Sequence, residues 1–216
     1  MSACCSTFEG AADQQFNERK VAKELAHFRA KGPGPSTRLL ERGIADAGAL
    51  GGVVLDVGAG FGALTFRLLD RGMSGAIAVD ASAASTRAAQ EEAERRGRAQ
   101  SVHVVRGDFV DVAEYLPRSA VVALDRVVCC YPSCEALLDA AVGRAERCVA
   151  LSYPRDVWYV RLGMMAENTQ RWLAKNAFRT YVHRRATIEQ RIKRAGFALA
   201  NRRETWMWSA DVYVRR

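Results

Sequence analysis

The most constraining feature of this sequence is an alternation of short apolar runs with helical segments between positions 53 and 152. Strands are expected at 53–57, 75–79, 102–106, 120–125 and 147–152. Between them the pattern predicts helices at 62–71, 83–96, 109–115 and 134–145. Several strands (VVLDV, AIAVD, AVVAL) are apolar almost throughout, as both faces of a sheet must be when helices cover each side. The expected fold class is therefore α/β, with a doubly wound, mostly parallel sheet.

The flanks follow different patterns. Val21, Leu25 and Phe28 recur at helical spacing, so one amphipathic helix is expected over 11–30. Lys31-Gly-Pro-Gly-Pro-Ser36 ends it. A short helix is expected over 37–47. After the last core strand a long helix is read over 156–176. A helix starting at a Thr187-x-x-Gln190 capping box should run to Gly196. Two closing strands, 197–205 and 207–214, lie close enough to pair antiparallel, for seven strands in all. The expected organisation is one domain: a helical cap (1–36), a core (37–153) and a second cap helix with the hairpin (154–216).

Composition bears on partners. The net charge of +8 invites nucleic acid as a partner, but it is unevenly spread. Residues 1–154 carry 18 Lys/Arg against 19 Asp/Glu, whereas residues 155–216 carry 14 against 5, together with all four Trp. Arg184, Arg185, Arg191, Lys193 and Arg194 are expected to form a solvated helix face and its approach, and the Trp residues to pack inside. No apolar run reaches membrane-span length, and the amino terminus lacks a charged start followed by an apolar stretch. A cytoplasmic protein with reduced cysteines is expected.

The motif with most chemical content is Val53-Val-Leu-Asp-Val-Gly-Ala-Gly-Phe-Gly62. Asp56 closes a strand, and Gly58, Gly60 and Gly62 turn the chain into a helix, leaving room for a ligand to approach the backbone. Gly58-x-Gly60-x-x-Ala63 also satisfies a dinucleotide-binding pattern. S-adenosylmethionine is favoured for three reasons. Asp56 suits a cationic amino group but would repel a pyrophosphate. The third glycine follows after a single residue. The remaining chain has little room for a separate dehydrogenase domain. Asp80, ending the second strand, suits ribose hydroxyls, and Asp108 with Phe109 suits an adenine amino group and ring face.

In this order, DVGAGFG, AVDAS and RGDF resemble the class I S-adenosylmethionine-dependent methyltransferases over residues 50–153. The resemblance implies cofactor roles for Asp56, Gly58, Gly60, Gly62, Asp80, Asp108 and Phe109. It also implies a closing antiparallel hairpin, which the 197–214 pattern supplies independently. A narrower likeness is to magnesium-protoporphyrin O-methyltransferases, which have a His-Tyr-Pro after the fourth strand and a late Arg-x-Tyr-x-His. This chain has Cys130-Tyr131-Pro132 and Arg179-Thr-Tyr181-Val-His183, so Cys130 stands where that family has its His.

The acceptor pocket is expected beyond the fourth strand, around Asp125–Pro132. Tyr131 and His183 are the candidates to orient or deprotonate the acceptor, with Cys130 next. His27 and His103 are read as structural or exposed. Cys4-Cys5 and Cys129-Cys130 have poor spacing for chelation, so no metal is expected. The expected function is methylation of an oxygen, nitrogen or sulfur on a small, planar or acidic metabolite. An RNA-modifying methyltransferase and a catalytically idle cofactor-binding protein are the alternatives. Cys-Cys-Tyr-Pro is not the Asn/Asp-Pro-Pro-aromatic motif usual for methylating exocyclic amines of nucleic acids, so nucleic acid is disfavoured.

Overall fold

A computed structural model describes residues 5–216, with side chains described from Phe8 onward. The sheet strands are β1 (Val53–Val57), β2 (Gly75–Asp80), β3 (Val102–Arg106), β4 (Ser119–Asp125), β5 (Ala145–Pro154), β6 (Phe197–Glu204) and β7 (Trp208–Arg215). Their order is β3-β2-β1-β4-β5-β7-β6. The first five are parallel to one another, while β7 runs antiparallel between β5 and β6. The expected doubly wound sheet and closing hairpin are both present.

Helices α3 (Pro35–Asp46), α4 (Ala63–Asp70) and α5 (Ala83–Arg95) cover one face, where Leu40, Ile44, Leu64, Leu68 and Val121 pack together. Helices α7 (Cys134–Arg144) and α9 (Arg185–Arg194), with the short α6 (Phe109–Val112), cover the other face around Leu55, Leu124, Leu137 and Ile188. Two-sided cover explains the continuous apolar runs, because β4 is buried along all but its last residue.

The amino-terminal helix expected over 11–30 is two helices, α1 (Cys5–Gln15) and α2 (Glu18–Lys31). Asn17 separates them, its side chain capping α2 by accepting the Lys20 N–H. The break is also tertiary. The carbonyl of Phe16 accepts the Ser82 hydroxyl at 2.9 Å, and Asp13 accepts the Ala83 N–H at 2.7 Å, so the break seats on the start of α5. The capping box at Thr187 does not form. Helix α9 begins earlier, at Arg185, without a side-chain cap, which places Thr187 inside its first turn.

The long cap helix is α8 (Trp158–Leu173), and Val160 is its only buried residue. The expectation that the Trp residues pack inside is overturned. Trp158, Trp172 and Trp206 are 76%, 66% and 68% exposed. The carboxy-terminal positive charge is largely paired, through Arg155 and Arg185 with Glu204, Arg191 with Asp139, Lys193 with Glu189 and Arg203 with Asp46.

The hairpin is locked by Asp211, which is fully buried on β7. It accepts hydrogen bonds from Tyr153 on β5 at 2.8 Å, from Tyr213 at 3.1 Å, from Ser209 at 3.1 Å and from two nitrogens of Arg202 at 2.8 and 2.7 Å. Removing a buried carboxylate strands its donors, at a cost of about 3 kcal/mol. Asp211→Ala should lower the melting temperature by roughly 6–12 °C for a chain of this size, measured by thermal unfolding. A drop under about 2 °C would show that the network contributes little.

Candidate active site

Three core strands end in or beside an aspartate at the carboxyl edge of the sheet: Asp56 on β1, Asp80 on β2 and Asp125 on β4. A cavity of about 430 Å³ opens over this edge, lined by all three and by Asp108. In open α/β sheets this edge is where ligands bind.

The turn after β1 is built around Gly58 and Gly60, with φ of +61° and +58°. A Cβ on Gly58 would come within 2.6 Å of a Val127 methyl, so the turn also needs glycine there for close packing. At Gly60 a Cβ would meet nothing within 4 Å, and the residue lines the cavity, so a ligand can lie directly against its backbone. Gly62 does not line the cavity; it caps α4 in the left-handed conformation.

Asp80 holds this turn in place. One oxygen accepts the Gly60 N–H at 2.8 Å, and the other accepts the Ser82 N–H at 2.8 Å. The Ser85 side chain donates to Asp80 as well, so of the carboxylate's roughly four lone-pair sites about one remains for a hydroxyl donor. Asp56 accepts the N–H and the hydroxyl of Thr65 on one oxygen, at 3.1 and 2.6 Å. Burial raises the Asp56 pKa to about 7, with the Asp125 and Asp80 charges adding to it. Burial likewise raises Asp80 to about 6. Crowded, dehydrated carboxylates favour a cationic guest, which relieves their repulsion without desolvating a further anion. The donor set therefore fits a ligand carrying ribose hydroxyls and positive charge.

Asp108 caps α6 by accepting the Val110 N–H at 3.0 Å. Its carboxylate also accepts the Tyr131 hydroxyl, at 3.0 and 2.9 Å to its two oxygens. Phe109 lines the same end of the cavity, and the ring of Phe8 meets that of Tyr131 edge-on at 4.9 Å. Tyr131 thus stands beside the expected adenine pocket. Its hydroxyl is therefore engaged with Asp108 rather than pointed at an acceptor alone.

Of the other expected catalytic residues, Cys130 lines the cavity and His183 does not. His183 faces a second, more open groove beside Tyr181, Met165 and Trp172. Its Nε2 is buried without a hydrogen-bond partner among the described residues. Burial lowers its pKa, against the opposing effect of the Tyr131 and Val128 carbonyls. Cys4 lies outside the described residues. His27 lies on α2 and His103 on β3.

Residues beyond the expected set complete the cavity. Phe16 enters from the break between α1 and α2, Lys20 and Glu24 from α2, Tyr159, Met164 and Arg171 from α8, and Trp206 from the hairpin turn. Arg126 lines it too and is held at φ +63°, an uncommon conformation for a side chain of this size. Its N–H donates to the Ser152 hydroxyl at 2.8 Å, which in turn donates to Asp125 at 2.6 Å. Asp125 was legible by analogy, since three apolar strands end the same way. Nothing local marks Lys20 or Arg171.

The family model that matches residues 54–150 is described as a methyltransferase domain. The chain carries a methyltransferase domain, dependent on S-adenosylmethionine. Among solved structures this methyltransferase is similar to a magnesium protoporphyrin IX methyltransferase from Synechocystis with bound S-adenosylhomocysteine. The two are 21% identical, over 84% of this chain and 82% of that one, with a TM-score of 0.65. It is also similar to an O-methyltransferase family protein from Burkholderia thailandensis, at 15% identity, covering 93% of this chain and 61% of that one, TM-score 0.73. An O-methyltransferase family 2 protein from Planctomyces limnophilus, in complex with apigenin, aligns at 15% identity over 86% of this chain and 63% of that one, TM-score 0.62. At these identities the likeness is one of fold. No curated protein sequence matches this chain. No helix among the described residues is long and apolar enough to cross a membrane.

The raised Asp56 pKa has a thermodynamic consequence for the ligand-free methyltransferase. The folded state holds a proton that the unfolded state has already released, so this contribution is complete below about pH 4 and fades as the pH rises through about 7. Relative to Asp56→Asn, the unmutated protein should lose stability between pH 5 and pH 8, followed by chemical unfolding at each pH. A difference that stays constant across that range would show that Asp56 ionises normally.

Proposed function

We propose that this methyltransferase acts on a small acceptor with a flat or apolar body and an anionic group. The observation that carries the reading is the charge lining of the cavity: carboxylates along the sheet edge, with Arg126 just beyond Asp125, and Lys20 and Arg171 beside Glu24 and Glu167 among aromatic side chains under the caps. The nucleoside end of the cofactor is assigned to Asp80, through its remaining acceptor capacity, and to Asp108 and Phe109. Asp56 and the backbone at Gly58 and Gly60 are assigned to its amino-acid end. Gly62 acts indirectly, by starting α4.

S-adenosylmethionine, when bound, supplies an electrophilic methyl group. The remaining demand on the protein is placement, which can contribute up to about 7–11 kcal/mol in an in-line displacement. Phe16, Tyr159 and Trp206 offer aromatic faces to the acceptor's body. Arg126 and Lys20 offer positive charge to its anionic group, and Arg171 does so while paired with Glu167. An anionic acceptor group needs no base, which agrees with Tyr131 being engaged by Asp108 and His183 lying in another groove. The +9 carboxy-terminal part, with its cations largely paired, gives no independent support to an RNA substrate.

Two experiments test the proposal. Asp80→Ala should weaken S-adenosylmethionine binding by tenfold or more in calorimetry, and unmutated affinity should fall as the pH drops from 8 to 5.5, because protonating Asp56 and Asp80 removes the charge the ligand meets. Affinity that is flat across this range would sink the electrostatic assignment. A panel of aromatic carboxylic acids and their neutral amides, added with S-adenosylhomocysteine, should raise the melting temperature only for the acids. Arg126→Ala should erase most of that shift. Equal responses to acids and amides would remove the anionic acceptor.

A further inference from the structure

Cys129 and Cys130 line the cavity and have no part in the proposed methyl transfer. They lie in the single 3₁₀ turn (Val128–Cys130) that follows β4. Neighbouring side chains on an extended strand point to opposite sides, but this turn brings the two sulfurs within 3.6 Å of each other. Both thiols also face one acceptor, the Arg126 carbonyl, at 3.3 and 3.2 Å. Two bonds of roughly 2.3 Å to a shared soft atom, meeting at an angle between a right angle and a tetrahedral one, span about 3.3–3.8 Å. The pair is therefore already set at the spacing of a two-thiol chelate.

The surroundings choose among soft guests. Lys20, Arg126 and Arg171 all act electrostatically on Cys130, and such a cluster opposes a divalent cation. Among the described residues no group of three or more His, Cys, Asp or Glu could complete a metal's coordination. An uncharged trivalent arsenic species meets neither objection, since it needs two thiols and brings no positive charge. Cys134 and Cys148 are buried, and burial pushes both thiols up to about 12; Cys129 is pushed well up too, by its hydrogen bond with Cys130 and by burial. The Cys130 thiol is instead held down, first by its hydrogen bond with Cys129 and then by the cations, so it is the thiol fitted to react first.

We infer that Cys129 and Cys130 form a two-thiol clamp for trivalent arsenicals within the cavity of this methyltransferase. With phenylarsine oxide, two S–H bonds break and two As–S bonds form. The oxide oxygen leaves as water with the two thiol protons, and arsenic stays trivalent throughout. The clamp depends on neither the acceptor's identity nor cofactor turnover.

The test uses the reduced full chain carrying Cys4→Ser and Cys5→Ser, which removes the other adjacent pair. Native mass spectrometry with one equivalent of phenylarsine oxide should show a one-to-one adduct heavier by the reagent less one water. It should survive excess 2-mercaptoethanol, be released by 2,3-dimercaptopropanol, and map after digestion to the peptide holding Cys129 and Cys130. Cys130→Ser should reduce adduct retention at least tenfold, whereas Cys134→Ser should not. No adduct on the folded protein, or one that persists in Cys130→Ser, would overturn the clamp. If Cys130→Ser does not fold, the location of the adduct on the parent protein decides the question.

Discussion

The site depends on the contact between the Asp80 carboxylate and two backbone N–H groups from different turns. By accepting from Gly60 and from Ser82 it ties the loop after β1 to the start of α5. A second tie, from the Ala59 N–H to the Val79 carbonyl at 3.0 Å, keeps the same loop on β2. The amino-terminal helices then dock on this joined edge, because Phe16 and Asp13 take the Ser82 hydroxyl and the Ala83 N–H. Floor, rim and one wall of the cavity thus converge on a few residues around the end of β2.

Concentrating carboxylates at that edge costs the ligand-free protein. Asp56 is dehydrated and stands near two like charges, so its proton is held far more tightly than a carboxylate in water would hold it. The fold tolerates this because the glycine turn, Thr65 and Ser82 supply fixed donors. A cation brought in by a ligand relieves what remains, so binding energy and fold strain are linked at the same atoms.

The sheet and its cofactor edge were legible because their signals are local. Apolar runs fix the strands, and a glycine turn fixes where the ligand approaches. The errors fall where distant residues decide. The amino-terminal helix breaks at Asn17 because Ser82 and Ala83 provide partners that no helical periodicity reveals. The Thr187 capping box yields to a helix that starts at Arg185. Tyr131 sits one residue after Cys130, yet its hydroxyl turns to Asp108, in the turn after β3. The motif Arg179-x-Tyr181-x-His183 suggested catalysis, but the loop carrying it sends His183 to another groove. The cations of the cavity came from α2, the turn after β4 and α8, three places that no single window of sequence joins.

Helix α8 has one more consequence. Its outward stripe of Trp158, Leu162, Met165, Trp172 and Leu173 stays in water, and Val160 alone is buried. Separating such a helix from the body exposes little additional apolar surface, so the hydrophobic effect resists that movement only weakly. The strongest packing lies under the sheet, and the roof of the cavity is fastened mostly by polar contacts such as Asn168 to Thr180 and Tyr159 to Trp206. Lifting the roof would therefore break mainly a few exchangeable hydrogen bonds, and the frame under the sheet edge would keep its own contacts.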